Sequence, residues 1–375
     1  MKKARLLVLS SFPAPYRVEI FKKLKTVYEN MDIFFQYAVD SNRNKDFYST
    51  TDEVTFFILG CFKADNYLKE CVSNLEKYSL IVAYDWYLPY AVKILLKAIR
   101  LNVPYIVNCD GAFLPVKKTA KQVIKDLVKR VIISSAGCCF ASGKYAKEYF
   151  LYYGAKEENI VIHHFTSLKE IDIRKTVVSK EEKHQLRNNL QIKNRKMVIS
   201  VGQFIYRKGF DILLSAWGDL DYENQLVILG GGEQEEEYKK YIEKCGYKNV
   251  FLHGYMPKEK IFQFYCAADL FVLPTREDIW GLVINEAMAC GLPVITTDRC
   301  IAGLECIQNG INGFIIPTEN SKMLHDSMKY LLVDDDRREK MGALGLEKIS
   351  EYTMENVVES HLRCIDRLLN DINTD

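Results

Sequence analysis

The feature that most constrains this chain is an alternation of short apolar runs with longer helical patterns, and it occurs twice. In the first half, residues 5–11, 31–39, 54–59, 79–84, 103–111, 131–142 and 158–165 read as strands, and residues 18–28, 90–101 and 144–154 carry helical spacing. A polar stretch over 169–196 follows and holds the boundary. The alternation then resumes with strands at 196–202, 225–232, 249–255, 269–275, 293–297 and 313–317, helices at 209–217, 233–245, 257–267 and 282–290, and two terminal helices. Apolar runs separated by helices of this length imply parallel strands joined by crossovers. Two such modules in succession predict two doubly wound α/β domains.

Composition narrows the class further. With 375 residues, 48% hydrophobic and 27% charged, the chain is an ordinary globular one, neither disordered nor fibrous. No stretch approaches the roughly 18 apolar residues of a membrane-spanning helix. The opening MKKARLLVLSSFPAPY meets Pro13 and Pro15 after a short apolar run, which suits a buried first strand better than a signal peptide. The eleven cysteines include no CxxC pair and sit mostly in apolar runs, as reduced thiols do, so a cytoplasmic location is expected. Residues 1–170 hold 25 Lys and Arg against 17 Asp and Glu, and the remainder 26 against 32, a basic half joined to an acidic one. The first histidine is His163, which with His164 reads as a packed or solvated pair.

Chemistry concentrates in residues 274–298, PTREDIWGLVINEAMACGLPVITTD. A strand ends near Thr275, an acidic loop follows, and a helix starts near Gly281–Leu282 and stops at Gly291 before Pro293. The start of a helix offers free amides and a positive dipole end to an anion. Asp278 and Glu286, with seven residues between them, accept hydrogen bonds and therefore suit hydroxyls rather than phosphate. Amides for an anion beside carboxylates for a polyol fit a nucleotide sugar.

This string, with its acidic residue, seven intervening residues and Glu, its W-G-L-V centre and the following E-A-M-A-x-G-x-P-V, resembles the signature of family 4 retaining glycosyltransferases of the GT-B fold. VGQFIYRKGFDILLSAW (201–217) resembles that family's strand-turn-helix with a diphosphate-binding lysine. SSFPAPYRVEIF, YGAKEENIVIHHF and YTMENVVESHLRCIDRLL resemble its first strand and loop, the last strand region of its first domain, and its C-terminal helix. The resemblance implies a GT-B architecture: two Rossmann-like doubly wound domains facing each other across a cleft. It assigns an acceptor-side domain to 1–170, a nucleotide-sugar-binding domain to 171–352, and to 353–375 a helix packing back on the first domain.

Carried over residue by residue, the resemblance gives Glu286 the ribose and Asp278 the transferred sugar. The family usually has Glu at the first position, so Glu277 competes for that contact. Backbone amides of Trp280, Gly281 and Leu282 face the donor, as do the strand-end glycines Gly202 and Gly231. Lys208 carries over as the diphosphate ligand. Gln203 stands where an arginine is expected, and Arg207 is its candidate replacement. A lysine and an arginine balance a leaving diphosphate without a metal, so neither metal nor cofactor is expected; Asp334 and Asp336 read as solvated surface. Many members place a histidine in the first domain near the reacting sugar, and here Asp110 is the nearest match, a candidate for orienting a hydroxyl.

The implied activity is transfer of a hexose, with retention, from a nucleotide diphosphate sugar to a carbohydrate or lipid-linked acceptor in cell-surface polysaccharide synthesis. The alternatives are a GT-B nucleotide-sugar epimerase, which the histidine-free first 162 residues disfavour, and an inactive sugar-binding subunit, which Lys208 and Glu286 disfavour. Donor base, sugar and acceptor depend on loops at 36–53, 84–90 and 110–120, whose side chains carry no readable code.

Residues 116–134 form a separate feature. Lys117, Lys118, Lys121, Lys125, Lys129 and Arg130 face a single Asp126, while Val123, Leu127 and Val131 share one helical face with Ile124 and Val128 beside them. Such a segment is either an ordinary helix packed on its sheet or one that lies peripherally on an anionic membrane. No aromatic-interleaved basic module accompanies it, so nucleic acid is not an expected partner.

Overall fold

Two parallel sheets with the same winding order organise the chain. The computed structural model describes residues 2–39, 54–114, 119–193 and 195–372, divided into one unit of Met1–Ser167 with Thr353–Asp375 and a second of Leu168–Tyr352. The first contains β1 (Lys2–Ser10), α1 (Pro15–Val27), β2 (Tyr28–Phe35), β3 (Phe57–Ile58), α2 (Phe62–Ser73), β4 (Leu80–Ala83), α3 (Pro89–Arg100), β5 (Tyr105–Cys109), α4 (Ala120–Ser134), β6 (Cys138–Ala141), α5 (Lys144–Tyr152) and β7 (Ile160–Ile162). Its strands pair in the order β3-β2-β1-β4-β5-β6-β7. The second contains α6 (Lys180–Asn189), β8 (Lys196–Gln203), α7 (Phe210–Trp217), β9 (Asn224–Gly231), α8 (Glu235–Cys245), β10 (Val250–His253), α9 (Lys258–Ala267), β11 (Leu270–Leu273), α10 (Leu282–Ala289), β12 (Val294–Thr297), α11 (Ile301–Cys306), β13 (Gly313–Ile316), α12 (Ser321–Leu332) and α13 (Asp335–Ile349). Its strand order is β10-β9-β8-β11-β12-β13. Both sheets wind outward from a central first strand, the dinucleotide-fold pattern in which ligands collect beyond the strands' carboxyl ends.

The sequence dictates this locally. All four residues of β4 are buried, as a parallel strand covered on both faces must be. In β1, Leu7 and Leu9 enter one core cluster while Leu6 and Val8 enter the other, following the two-residue period of a strand. In α3, Ala91, Ile94, Leu95 and Ala98 form the buried stripe and Pro89 opens the first turn. The last helix, α14 (Met354–Ile372), completes the core of the first unit: Val357, Cys364 and Ile365 pack with Leu6, Val8 and Phe140, and the Tyr28 hydroxyl donates to Asp366.

Several expectations need correction. Residues 131–134 are the last turn of α4 rather than the start of a strand, because Ile132 and Ile133 are buried from the helix. Three helices, not two, follow β13. The short α11 and the weakly apolar α2 left no readable pattern; α2 buries only Ala64 and Cys71. Asp334 is the N-cap of α13, and Asp335 is held by Lys180, Lys196 and Arg338, so this acidic turn is structural rather than merely solvated. Nine cysteines are free. Cys138 and Cys364 meet sulfur to sulfur, against the expectation of separate thiols, with Cα atoms 7.2 Å apart. Among the described residues no helix is long and apolar enough to cross a membrane.

Candidate functional site

In the second unit the loops after β8 and β11 are laced together at the carboxyl edge of the sheet. The Arg276 amide and the Thr275 hydroxyl both donate to the Arg207 carbonyl, at 2.8 and 2.9 Å. Gly209 permits this approach: its φ is +71°, and a Cβ there would stand 2.1 Å from the Pro274 carbonyl oxygen. The preceding 3-10 turn, Tyr206–Lys208, carries Arg207 and Lys208 to the β11 loop.

Lys208 is buried and its ammonium lies on Asp278 Oδ2. Arg207 Nη1 is 3.6 Å from Asp278 Oδ1 and donates to the Glu277 carbonyl at 2.7 Å. Burial opposes the charge on Asp278, but Lys208 and then Arg207 outweigh it and hold the carboxyl below its usual range. Glu277 instead turns outward, half exposed, and pairs with Arg299 at 3.0 Å. The two adjacent carboxylates therefore differ in kind: Asp278 anchors the cations and Glu277 is accessible.

α10 begins beside this pair. Its N-cap, Gly281, has φ +97°; a Cβ there would lie 2.8 Å from Cys300 Sγ and 3.6 Å from Asp278 Oδ2. No side chain caps the helix and no acidic residue occupies its first turn, which starts at Leu282, so the dipole end is left to an outside anion. Trp280 is buried, and its indole donates to Asn285 at 3.1 Å; its side chain packs the loop in place, and its backbone bonds within the protein, the carbonyl accepting from the Ala302 amide at 2.8 Å and the amide bonding to Asp278. Further along α10, Glu286 accepts from the Tyr265 hydroxyl at 3.1 Å. Burial pushes this carboxyl above its usual range, with the Tyr265 hydrogen bond and Lys258 pulling against it.

Gly202 pairs in register with Gly230, and Gln203 with Gly231, at the ends of β8 and β9. Gly202 borders the aliphatic stem of Lys208; a Cβ there would sit 3.7 Å from it. Gly231 lies under the Tyr255 ring, whose hydroxyl donates to its carbonyl at 2.7 Å. Thus Gly202, Arg207, Lys208, Glu277, Asp278, Gly281 and Leu282 gather around one helix start, Trp280 supports them from within, and Gly231 and Glu286 are held by tyrosines.

Asp110 belongs to the first unit. Its Oδ2 receives Arg17 Nη2 at 2.7 Å and its Oδ1 receives Asn108 Nδ2 at 2.7 Å. Arg17 is buried in the first turn of α1, with its guanidinium 4.1 Å from the centre of the Tyr84 ring. Burial raises the Asp110 carboxyl above its usual range, Arg17 opposes this, and Asp85 adds to it. Asp85 accepts from the Ser10 hydroxyl and the Ser11 amide. His163 is buried and lies 3.3 Å from Asn108 Oδ1 through Nε2, a packed histidine as expected. Sequence reasoning missed Arg17, Tyr265, Arg276 and Arg299. Only Arg17 carried a usable signal, since a cation in the first turn of a helix is misplaced against the dipole. Among the described residues no group of three His, Cys, Asp or Glu is placed to hold a metal ion.

Residues 182–347 match the family profile described as glycosyl transferases group 1. An uncharacterised glycosyltransferase of Methanocaldococcus jannaschii is 29% identical over 201 residues, 48% of this chain and 56% of that protein. A GDP-mannose-dependent alpha-(1-6)-phosphatidylinositol monomannoside mannosyltransferase of Mycobacterium tuberculosis is 30% identical over 177 residues, 44% of this chain and 46% of that protein. The matches thus span about half the length of these relatives. Among solved structures, Anabaena Alr3699/HepE in complex with UDP superposes with a TM-score of 0.77 over 97% of this chain and 100% of that one, at 16% identity, a likeness of fold.

Proposed function

Because the chain belongs to glycosyl transferases group 1, through residues 182–347, we propose that it moves a hexose from a nucleotide diphosphate sugar to a carbohydrate or lipid-linked acceptor. The observation that carries this reading is the uncapped start of α10 beside the Lys208–Asp278 pair, with Glu286 on the same helix. In this reading the diphosphate displaces Asp278 as the partner of Lys208. Arg207 adds a second positive charge, and the α10 amides complete a cradle for the leaving group. Two fixed cations neutralise the diphosphate without calling on a metal. Glu286, ionised, accepts from the ribose hydroxyls, and Glu277, the accessible carboxylate, is the better placed of the pair for the sugar.

Transfer proceeds with retention: as the sugar–phosphate bond breaks, the departing phosphate oxygen takes the proton of the acceptor hydroxyl on the same face. Asp110 in the first unit orients a hydroxyl rather than removing a proton, since Arg17 occupies one of its oxygens. The relatives bear on substrate class only as analogies. One acts on a phosphatidylinositol mannoside with GDP-mannose, and a structural neighbour binds UDP. We assign the product to cell-surface polysaccharide synthesis and the location to the cytoplasm.

A thermal-shift screen of UDP, GDP and their sugars tests the donor. Ligand at 100 times its dissociation constant adds about 2.7 kcal/mol, a clear rise in melting temperature. Selective stabilisation by one nucleotide, lost in Glu286→Ala, supports the reading, and indifference to every nucleotide defeats it. NMR of the product reads the anomeric outcome, and activity in EDTA reads the independence from metal. Conversion of the donor sugar without an acceptor would point to epimerisation instead.

A further inference from the structure

α4 turns its polar side inward and its apolar side outward. Asp126, 6% exposed, accepts from the Gln122 amide at 2.7 Å and from the Tyr153 hydroxyl at 2.8 Å. Lys129 reaches inward as well, donating to the Tyr149 hydroxyl at 2.9 Å. Ile132 and Ile133 complete the inner face. Outward stand Val123, Ile124, Leu127 and Val131, exposed to 47, 66, 59 and 47%. Their spacing makes one stripe along a helix about 22 Å long. Leu114, also exposed, lies in the preceding loop.

A helix that meets only water buries its apolar stripe and solvates its charges; this one does the reverse at its centre. Exposed Arg130 borders the stripe beside Val123, exposed Lys125 stands farther round the same helix, and the only acidic residue of α4 is the buried Asp126. The outer face is therefore apolar with a cation at one margin, and the exposed charges of α4 are positive. Residues 115–118, which include Lys117 and Lys118, lie outside the described residues.

We propose that α4 docks this protein on an anionic phospholipid bilayer, with Val123, Ile124, Leu127 and Val131 entering the boundary between headgroups and acyl chains. Arg130 then meets lipid phosphates at the level of the headgroups, and Lys125 adds attraction to the anionic surface. The charge pattern selects this occupant over a second copy of the chain, because pairing two α4 faces would bring like cations together. The mode is that of a helix lying in the interface. This inference goes beyond the proposed transfer reaction and does not depend on it.

Co-sedimentation of the full chain with phosphatidylcholine vesicles, with and without phosphatidylglycerol, tests it. The wild type pellets with the anionic vesicles and stays in solution with the neutral ones, and raising the salt to about 1 M weakens the binding as the screening length falls to about 3 Å. Lys125→Ser and Arg130→Ser each lower the partition roughly fivefold. Ile124→Ser with Leu127→Ser lowers it roughly tenfold or more; all four side chains are exposed, where substitutions leave folding nearly unchanged. As an independent readout, Ile124→Trp shifts its emission to the blue on anionic vesicles only. The proposal is overturned by a wild type that ignores anionic vesicles, by variants that pellet as the wild type does, or by self-association lost in the Ile124/Leu127 variant without vesicle binding.

Discussion

The Lys208 ammonium rests on the Asp278 carboxylate with both side chains nearly closed to solvent, at 11 and 12% exposure. Removing either partner has unequal consequences. Asp278→Asn leaves a buried ammonium without its counter-charge, and the expected loss is about 3–5 kcal/mol of stability. Lys208→Met strands the Asp278 carboxylate, which keeps only Arg207 at 3.6 Å, so melting falls as well but by less than in Asp278→Asn, while turnover falls about 10²- to 10³-fold with the leaving-group cation gone. Calorimetry and initial rates on both variants check this, and a Lys208→Met protein with wild-type turnover contradicts the site.

Glu286 and Tyr265 set a pH limit on donor binding. The carboxyl is held high by burial and only partly relieved by the tyrosine hydroxyl. Since only the ionised form accepts from two ribose hydroxyls, donor affinity falls as pH drops through its titration. Tyr265→Phe removes the relief, so the acid limb moves to higher pH. Glu286→Gln binds weakly without that limb. Titration calorimetry of the donor across pH separates the three proteins, and an unmoved limb in Tyr265→Phe speaks against Glu286 as its source.

Arg17 and Asp110 form the corresponding pair in the first unit. Asp110→Asn strands a guanidinium that is only 3% exposed, with an expected cost of about 3–5 kcal/mol. The double variant with Arg17→Met recovers most of the melting temperature because no buried charge remains. Its transfer rate stays low if Asp110 orients a hydroxyl. Arg17→Lys does not substitute, since stacking over Tyr84 needs the flat guanidinium. A double-mutant cycle by chemical denaturation measures the coupling.

His361 predicts how stability responds to acid. It is fully buried in α14, with its ring centre 4.1 Å from that of Phe140, and bonded through Nδ1 to the Val357 carbonyl. Burial pushes it down to about 4. A folded-state value below that of the unfolded chain means the unfolded chain takes up the proton first, so the stability present above about pH 6.5 is lost as pH falls toward 4. For this group the loss is about 3 kcal/mol between pH 8 and 4, and His163, also lowered by burial, adds in the same direction. Asp110, raised by burial, acts in the opposite sense. Comparing the pH dependence of unfolding in the wild type and His361→Phe isolates the contribution, and equal slopes refute it.

What the sequence determined by itself is the winding and the helix start. Parallel strands covered on both faces must be continuous apolar runs, so LIVA of β4 announces itself without its neighbours. The Gly281 entry to α10, and Asp278 and Glu286 around it, are local enough to survive as a string. Tertiary structure decided what depends on contacts across long separations. The bond from Arg17 to Asp110 spans 93 positions and the one from Lys208 to Asp278 spans 70, and neither leaves a periodic trace. Helical spacing likewise showed that α4 has two unlike faces without showing which one the sheet takes. That choice was made by Tyr149 of α5 and by Tyr153 just past its end, whose hydroxyls offer Lys129 and Asp126 partners beneath the helix and so leave the apolar side for the outside.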